Sequence, residues 1–319
     1  MDRLLITGCN GFVGRHFLSR LRQDPLSNTR ILATAGPRQS DASLEQTALD
    51  VTDESAVETC LRTFEPTHVL HLAGISSPPD VSRNPQIAWQ VNTFGTLNLA
   101  RAIQAYCPKC FLVFVSSGLV YGTTARAGLP IREDALLAPD SEYSVTKAAA
   151  DLGVGFLAEK GLRAVRLRPF NHTGPGQVET FVIPSFAAQI ARIEAGLQPP
   201  EIKVGNLDVE RDFLDVRDVV ESYIAVIRRS DMLAPGQIIN IASGVPRKVG
   251  DILDQLLARS SAKITVKQDQ SRMRGKEISR YVGDPSLAQK LLQWTPSCDF
   301  DSTLADVLTE RRQIVASSV

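Results

Sequence analysis

The sequence is short of the features that mark whole classes of protein. Its five cysteines are an odd number scattered over Cys9, Cys60, Cys107, Cys110 and Cys298, so no disulfide framework is in prospect and a reducing compartment is expected. Cys107-Pro-Lys-Cys110 has a redox or zinc spacing, but it stands alone in a turn before an apolar strand, and a structural role is expected for it. No apolar run approaches the roughly 18 residues of a membrane span. Leu4-Leu5-Ile6 opens a core strand where a secretory leader would need its apolar stretch, and the expectation is a cytoplasmic protein. Charge of one sign is also missing. Lys plus Arg and Asp plus Glu both number 35, which argues against a basic surface for nucleic acid and against a polybasic patch for a membrane. Any anion it binds is then small and held by a few local groups. The four histidines form no cluster with Asp or Glu, so no metal site is expected.

What is present is a steady alternation of strand and helix patterns. The first half places short β-branched runs at Arg3 to Thr7, Ile31 to Thr34, Gln46 to Leu49, His68 to Leu72, Phe111 to Ser116 and Ala164 to Leu167. Helical patterns lie between them, the clearest over Gly14 to Arg22, Glu54 to Phe64, Pro85 to Tyr106 and Ser141 to Lys160. This predicts an α/β fold with a doubly wound parallel sheet. From Arg168 the regularity fades, and helices such as Ile183 to Ala195 come without a strand partner. The expected division is a dinucleotide-binding domain over residues 1–170 plus about 213–243. A smaller, interrupted C-terminal α/β substrate domain takes about 171–212 plus 244–312, and 313–319 form a tail. Helix Asp215 to Arg228 and strand Ile238 to Ile241 are the segments expected to return to the first domain.

The segment Leu4 to Gly14 reads strand, glycine turn, helix start. Glycines allow a tight turn and a close backbone approach to a pyrophosphate, and the helix N-terminus offers free N–H donors. Gly8, Asn10, Gly11, Phe12, Val13 and Gly14 are therefore cofactor-binding candidates in a Rossmann-type sheet, although G-x-x-G-x-x-G is one residue longer than the usual fingerprint. An NAD-binding unit ends its second strand with an acid for the ribose hydroxyls. Here Ala33 to Arg38 contains no carboxylate, whereas Arg15 and Arg38 are placed to meet a 2′-phosphate or else stand as solvated charges. NADP(H) is the expected cofactor, with NAD(H) second. Asp50 and Val51, after the third strand, and Asn92, in the long helix, are further candidates; a helix-terminus cap and a surface amide are the alternatives for Asp50 and Asn92.

Tyr143 and Lys147 lie four apart in a helix that Ser141 is expected to cap, so they share a face. An ammonium beside a phenol favours the phenolate and would bring the ordinary value of about 10 down toward catalysis. Most such pairs are surface neighbours. The order is what raises this one: a glycine loop after strand one, serines ending strand five, then Y-x-x-x-K about thirty residues on.

That order resembles the short-chain dehydrogenase/reductase superfamily, and the chain is similar to its extended, nucleotide-sugar branch over nearly its whole length. His71-Leu72-Ala73-Gly74, Asn92-Thr93-Phe94-Gly95-Thr96, Val120-Tyr121-Gly122 and Arg168-Pro169-Phe170-Asn171 carry the likeness. The resemblance implies that Ser117, Tyr143 and Lys147 are catalytic, that Leu72, Ala73 and Gly74 lie against the cofactor, and that Asn171 binds substrate. A loop amide satisfying backbone is the alternative for Asn171. Sugar-nucleotide dehydratases of the family carry a Glu two residues before the V-Y-G tyrosine, and the GDP-fucose-forming epimerase-reductases a cysteine. This sequence has Leu119, preceded by Gly118. Leucine accepts no proton, so the wall supports hydride and proton exchange at one carbonyl without elimination.

The run Arg168 to Gln177 looks like the reductase group acting on GDP-4-dehydro-6-deoxy-D-mannose, with parts shared by GDP-mannose dehydratases; Arg211-Asp212-Phe213 is similar to the family's nucleotide-clamping segment, and Arg272-Met273-Arg274 looks like the reductase group again, though Gly275 replaces the proline usual after the second arginine. Planar guanidinium groups match closely spaced phosphate oxygens, which makes Arg211 and Arg274 clamp candidates and a domain-to-domain ion pair their alternative. The resemblance implies NADPH-dependent C4-ketone reduction giving GDP-D-rhamnose, and a homodimer through the helices at 85–106 and 141–160. Gly153 and Gly155 suggest close packing there. A 4-epimerase with tightly bound NAD+ and a non-catalytic NADP-sensing regulator are the competing readings. His172 is expected to pack in its loop, and His16, His68 and His71 to be structural.

Overall fold

The computed structural model describes residues 1–36, 47–273 and 277–317. In chain order the first elements are β1 (Asp2–Thr7), α1 (Phe12–Gln23), β2 (Thr29–Ala35), β3 (Thr47–Ala48), α2 (Glu54–Phe64) and β4 (His68–His71). They are followed by α3 (Pro78–Arg83), α4 (Pro85–Ala88), a π-helical turn (Trp89–Gly95), α5 (Thr96–Tyr106), β5 (Phe111–Val115), a 3-10 segment (Gly118–Ala127), α6 (Glu142–Glu159) and β6 (Ala164–Pro169). The remainder is β7 (Asn171–Thr173), α7 (Val182–Glu194), β8 (Glu201–Val204), β9 (Glu210–Asp215), α8 (Val216–Arg228), β10 (Gln237–Ile241), β11 (Pro246–Lys248), α9 (Val249–Leu257), β12 (Thr265–Gln268), β13 (Arg280–Tyr281), α10 (Ser286–Leu292) and α11 (Phe300–Ala316).

Seven strands form one parallel sheet in the order β10-β6-β5-β4-β1-β2-β3. Leu5, Val69, Leu70, Leu112 and Val113 are wholly buried, which is what a sheet covered on both faces demands of its central strands. One face packs against α1 and α8 through a cluster that includes Ile6, Phe17, Leu167 and Ile239. The other packs against α2, α5 and α6 through Val57, Leu99, Ile103 and Val154. β10 pairs with β6, so the chain leaves the sheet after β6, builds β7, α7, β8 and β9 of a second region, returns with α8 and β10, and then completes that region.

Helix ends follow local chemistry. Asp53 accepts from the Ala56 N–H at the start of α2, and Asp215 accepts from the Arg217 N–H at the start of α8. Ser141 and Ser144 exchange side-chain and backbone bonds as a capping box on α6, each contact satisfying an N–H that the helix leaves without a partner. The single helix expected over Pro85 to Tyr106 is a composite, widened by the π turn around Asn92. There Thr96 Oγ1 donates to the Asn92 carbonyl at 2.8 Å. Gly153 and Gly155 pack inward. A Cβ at Gly153 would lie 2.5 Å from Leu97 Cδ2 on α5, and one at Gly155 would lie 2.6 Å from an Arg166 guanidinium nitrogen, so the close approach they permit is within the chain.

The second region contains strands that the sequence pattern does not reveal. β9 is flanked by β11 and β13 and also pairs with β7, while β8 pairs with β12. β7, β11 and β13 are two or three residues long, and β8, β9 and β12 mix charged with apolar residues, so no apolar run marks them. α7, α9 and α11 cover them around a third core of Ile190, Val204, Leu253 and Leu304.

Candidate active site

A cleft of about 850 Å³ runs from the C-terminal edge of the parallel sheet into the second region. Its inner end is the glycine loop. Gly8 holds φ +71°, and a Cβ there would stand 2.5 Å from the Ala73 nitrogen, so only glycine lets β1 turn beneath the loop after β4. Gly11, at the N-cap of α1, brings no side chain to the first helical N–H groups. These amides, with Gly8, Gly11, Phe12, Val13 and Gly14 lining the cleft, fit a dinucleotide pyrophosphate. Leu72, Gly74 and Asn92 also line it, whereas Asn10, Arg15, Asp50, Val51 and Ala73 do not.

Several of those have clear local work. Asp50 accepts from the Thr52 N–H and hydroxyl at 2.9 and 2.8 Å, and Val51 is buried. Arg15 donates to the carbonyls of Asn10 and Gly176 at 3.2 and 3.1 Å, joining the glycine loop to the turn after β7. Asn92 is no surface amide: it is fully buried. Its Oδ1 accepts from the Ile75 N–H, and its Nδ2 donates to the Ile75 carbonyl and to Thr146 Oγ1, holding the loop after β4 against α6. Arg38 and Arg274 lie outside the described residues.

Ser117, Tyr143 and Lys147 converge on the floor of the cleft. Ser117 ends the run from β5 and caps the 3-10 segment, its Oγ accepting from the Leu119 N–H at 3.1 Å. The Tyr143 and Ser117 side chains are hydrogen-bonded. Lys147 Nζ donates to the Val115 carbonyl at 2.6 Å and sits 5.0 Å from the centre of the Phe114 ring. Burial lowers its pKa to about 8, with the Asp151 carboxylate opposing the change.

The electrostatics correct one expectation. Lys147 does not bring the phenol down. Burial pushes the Tyr143 pKa up, and the Ser117 hydrogen bond is what pulls against it, because the ammonium is turned to the Val115 carbonyl. Tyr143 therefore keeps its proton at neutral pH and is poised as a donor.

Beneath this floor lies a charged layer. Asp151, one turn beyond Lys147, is fully buried and accepts from Arg168 at 2.8 and 3.0 Å and from Arg166 at 3.0 Å. Burial alone would raise its pKa, but Arg168 leads a set of partners that carries it below the usual carboxylate value. Arg168 also donates to the Tyr121 hydroxyl at 2.9 Å, and Tyr121 donates to Asn240 Oδ1 at 2.8 Å.

On the substrate side, Leu119 faces the cleft, with Asn171, His172, Arg211 and Tyr281 further along it. His172 stacks on Phe12 at 6.1 Å and its Nδ1 meets the Phe170 carbonyl at 3.0 Å; burial lowers its pKa. Arg211 donates to the carbonyls of Glu210 and Ile278 and pairs with Glu277 at 3.4 Å. Among the described residues the carboxylates of the lining are Glu179 and Glu277. Each is bound to an arginine, Glu179 to Arg192 at 2.9 Å.

Arg272, whose guanidinium donates to Ser185 Oγ at 3.2 Å, lies in the outer wall, and its spacing from Arg274 was a usable signal. Tyr223, Tyr281 and Asp151 were not singled out; the four-residue step from Lys147 to Asp151 was visible, while both tyrosines read as ordinary core. The pairs of His16 with the Pro175 carbonyl at 2.8 Å and of His68 with Ser230 at 3.0 Å are remote from the floor. Cys107 and Cys110 are free thiols, each pushed up by burial. Among the described residues no cluster of His, Cys, Asp or Glu suits a metal ion, and no helix is long and apolar enough to cross a membrane.

The sequence model of the family described as GDP-mannose 4,6 dehydratase matches residues 5–307. The chain is 34% identical to GDP-6-deoxy-D-mannose reductase of Pseudomonas aeruginosa over 97% of both chains. It is 29% identical to GDP-6-deoxy-D-talose 4-dehydrogenase of Aggregatibacter actinomycetemcomitans over 89% of both. A solved structure described as RMD from Pseudomonas aeruginosa complexed with NADPH superposes with a TM-score of 0.86 at 32% identity, covering 98% of this chain and all of that one.

Proposed function

The chain belongs to the GDP-mannose 4,6-dehydratase family within the extended short-chain dehydrogenases/reductases, and from that premise we propose that it reduces the C4 ketone of GDP-4-dehydro-6-deoxy-D-mannose to GDP-D-rhamnose. NADPH is the preferred donor and NADH the second choice. The observation that carries the reading is Leu119. It lines the cleft where the dehydratases of the family need a proton-accepting side chain, and both carboxylates of the described lining are already paired with arginines.

The residues divide the work in a definite way. The glycine loop and α1 would hold the pyrophosphate, and the nicotinamide, when bound, would supply the hydride. Ser117 and Tyr143 donate hydrogen bonds to the ketone oxygen as negative charge develops there, and Tyr143 then gives up its proton. A phenol kept protonated by burial is the state from which a reduction starts. Lys147, fixed by the Val115 carbonyl, would hold the nicotinamide ribose with its remaining N–H groups. Asn171 and Arg211 line the cleft and would meet the sugar and its pyrophosphate.

Incubation of the protein with GDP-4-dehydro-6-deoxy-D-mannose and NADPH, followed by loss of absorbance and identification of the product by NMR, tests the reading directly. GDP-mannose alone should be returned unchanged. A 4,6-dehydrated product from it would overturn the assignment.

The protein is further proposed to be a cytoplasmic homodimer. Phe94, before α5, and Leu152 and Phe156 on α6 are 56%, 61% and 58% exposed, an apolar strip of the kind that a second copy covers. Sedimentation equilibrium tests this. A monomer at micromolar concentration would count against it.

A further inference from the structure

Tyr223 lines the cleft, yet the chemistry above does not use it. It sits on α8 with 0% exposure, its ring packed in the core cluster that holds Ile6, Cys9, Val113 and Leu167, with Val13 and Val115 against that cluster. The hydroxyl is different. Among the described residues it finds no hydrogen-bond partner, although the residue belongs to the lining of the cleft. Burial raises its pKa, and the Tyr143 phenol adds to the effect, so the group keeps its proton and lies within electrostatic reach of the reacting tyrosine.

An unmatched buried hydroxyl destabilises a fold, and phenylalanine would fill the same volume without that defect. A buried donor at the lining of a cleft is open to an acceptor that arrives with a ligand. Two ligand parts reach this end of the cleft, the sugar and the nicotinamide. The sugar side is walled by Leu119, Phe170 and Tyr281, which belong to a separate cluster around the catalytic turn. Tyr223 stands on the other side, under the glycine loop and α1. A nicotinamide ring is apolar on its faces and carries one polar substituent.

We propose that Tyr223 is a cofactor-positioning residue whose hydroxyl donates to the carboxamide oxygen of the nicotinamide, fixing which face of the ring is turned to the ketone. This rests on the reductase reading. It adds a residue to the floor of the site, opposite the Ser117–Tyr143 pair.

The test is the Tyr223→Phe protein, which keeps the ring and removes only the hydroxyl. Dissociation constants are measured for NADPH and for 2′,5′-ADP, which shares the phosphate-bearing end but has no nicotinamide. The variant should bind NADPH roughly two- to tenfold more weakly, bind 2′,5′-ADP as the wild type does, and melt no lower than the wild type. With NADPH deuterated on one face of C4, the wild type should transfer label from a single face and the variant from both. Unchanged NADPH affinity with strict facial selectivity would overturn the proposal. Equal weakening of both ligands would overturn it as well, since that marks a purely structural role. A wild-type protein that binds neither ligand would fail at the reductase reading itself and take this inference with it.

Discussion

The Tyr281 hydroxyl donates to the Gly118 carbonyl at 2.7 Å and accepts from the Gly122 N–H at 3.0 Å. Tyr281 ends β13 in the second region, and the two glycines belong to the turn that follows Ser117, so one phenol clamps that turn to the second region. The turn needs the clamp because its path is unusual. Gly122 holds φ +47°, and a Cβ there would be 1.9 Å from the Ala138 carbonyl oxygen.

Tyr281→Phe should therefore loosen Ser117 without touching the cofactor. Leaving one buried donor and one buried acceptor unmatched destabilises by about 1–3 kcal/mol for each group, and a small displacement of a catalytic hydroxyl lowers kcat by roughly ten- to a hundredfold. Steady-state kinetics and a melting curve should show both losses, while the NADPH dissociation constant stays within twofold of the wild type.

Tyr143→Phe removes the proton donor and keeps the ring. The expected loss in kcat is about 10²- to 10⁴-fold, with NADPH still bound. Wild-type turnover in this variant would remove Tyr143 from the mechanism, and cofactor binding without turnover in the wild type would point to a sensor instead.

The pH profile separates Tyr143 from Lys147. Burial holds the phenol protonated beyond its ordinary range, so it does not limit reduction near neutrality. Burial lowers the Lys147 pKa to about 8, and losing its charge would weaken the hold proposed for it on the ribose. Reduction rates at subsaturating NADPH should be level below about pH 7 and fall as pH rises through about 8. A Lys147→Arg protein, whose guanidinium stays charged, should lack that fall even though its overall rate is lower.

The parallel sheet was legible in the sequence because strands such as β1 and β5 are near-continuous apolar runs set between helical patterns, and the glycine loop because Gly8 and Gly11 stand where backbone must turn and approach a ligand. Ser117, Tyr143 and Lys147 were visible through order and spacing. The second region was not, since β7, β11 and β13 are too short to carry a period. Charge partners were hidden for another reason. Lys147 was expected to face Tyr143, but a helix pattern does not reveal that the Val115 carbonyl, 32 residues away in the chain, would take the ammonium. Tyr223 and Tyr281 fit an apolar pattern as well as phenylalanine would, and only packing shows what their hydroxyls reach.

Asp151 offers a test of the layer under the site. It lies between Arg166 and Arg168 with no exposure, so removing its charge leaves buried guanidinium groups without a counter-ion. Asp151→Ala should cost about 3–5 kcal/mol, read as a lower midpoint in urea. Asp151→Asn keeps the shape and some hydrogen bonds, and it should fall between the two. Because Arg168 also holds Tyr121, which bonds Asn240 on β10, the loss should appear as a cooperative change of the whole sheet.

His71 supplies a pH dependence of stability whose sign follows from its bonds. The ring is buried between Thr7 Oγ1, 2.7 Å from Nδ1, and Thr96 Oγ1, 3.0 Å from Nε2. Thr96 spends its own proton on the Asn92 carbonyl, so it must accept from Nε2–H, which makes Nδ1 the acceptor for the Thr7 hydroxyl. The neutral tautomer satisfies every group, and a second ring proton would have to displace the Thr7 hydroxyl. Burial, reinforced by the Lys147 charge, lowers the folded pKa to about 3 from 6.5. Between those values the unfolded chain binds a proton that the folded chain refuses, so the contribution of His71 is complete above about pH 6.5 and is lost progressively as pH falls toward 3. His71→Gln removes that titration and should be less stable than the wild type at pH 7.5, where the two hydroxyl bonds count. The gap should narrow steadily in urea unfolding at pH 6, 5 and 4, since only the wild type loses the His71 contribution. A gap that stays constant across that series would mean the ring is already protonated in the fold.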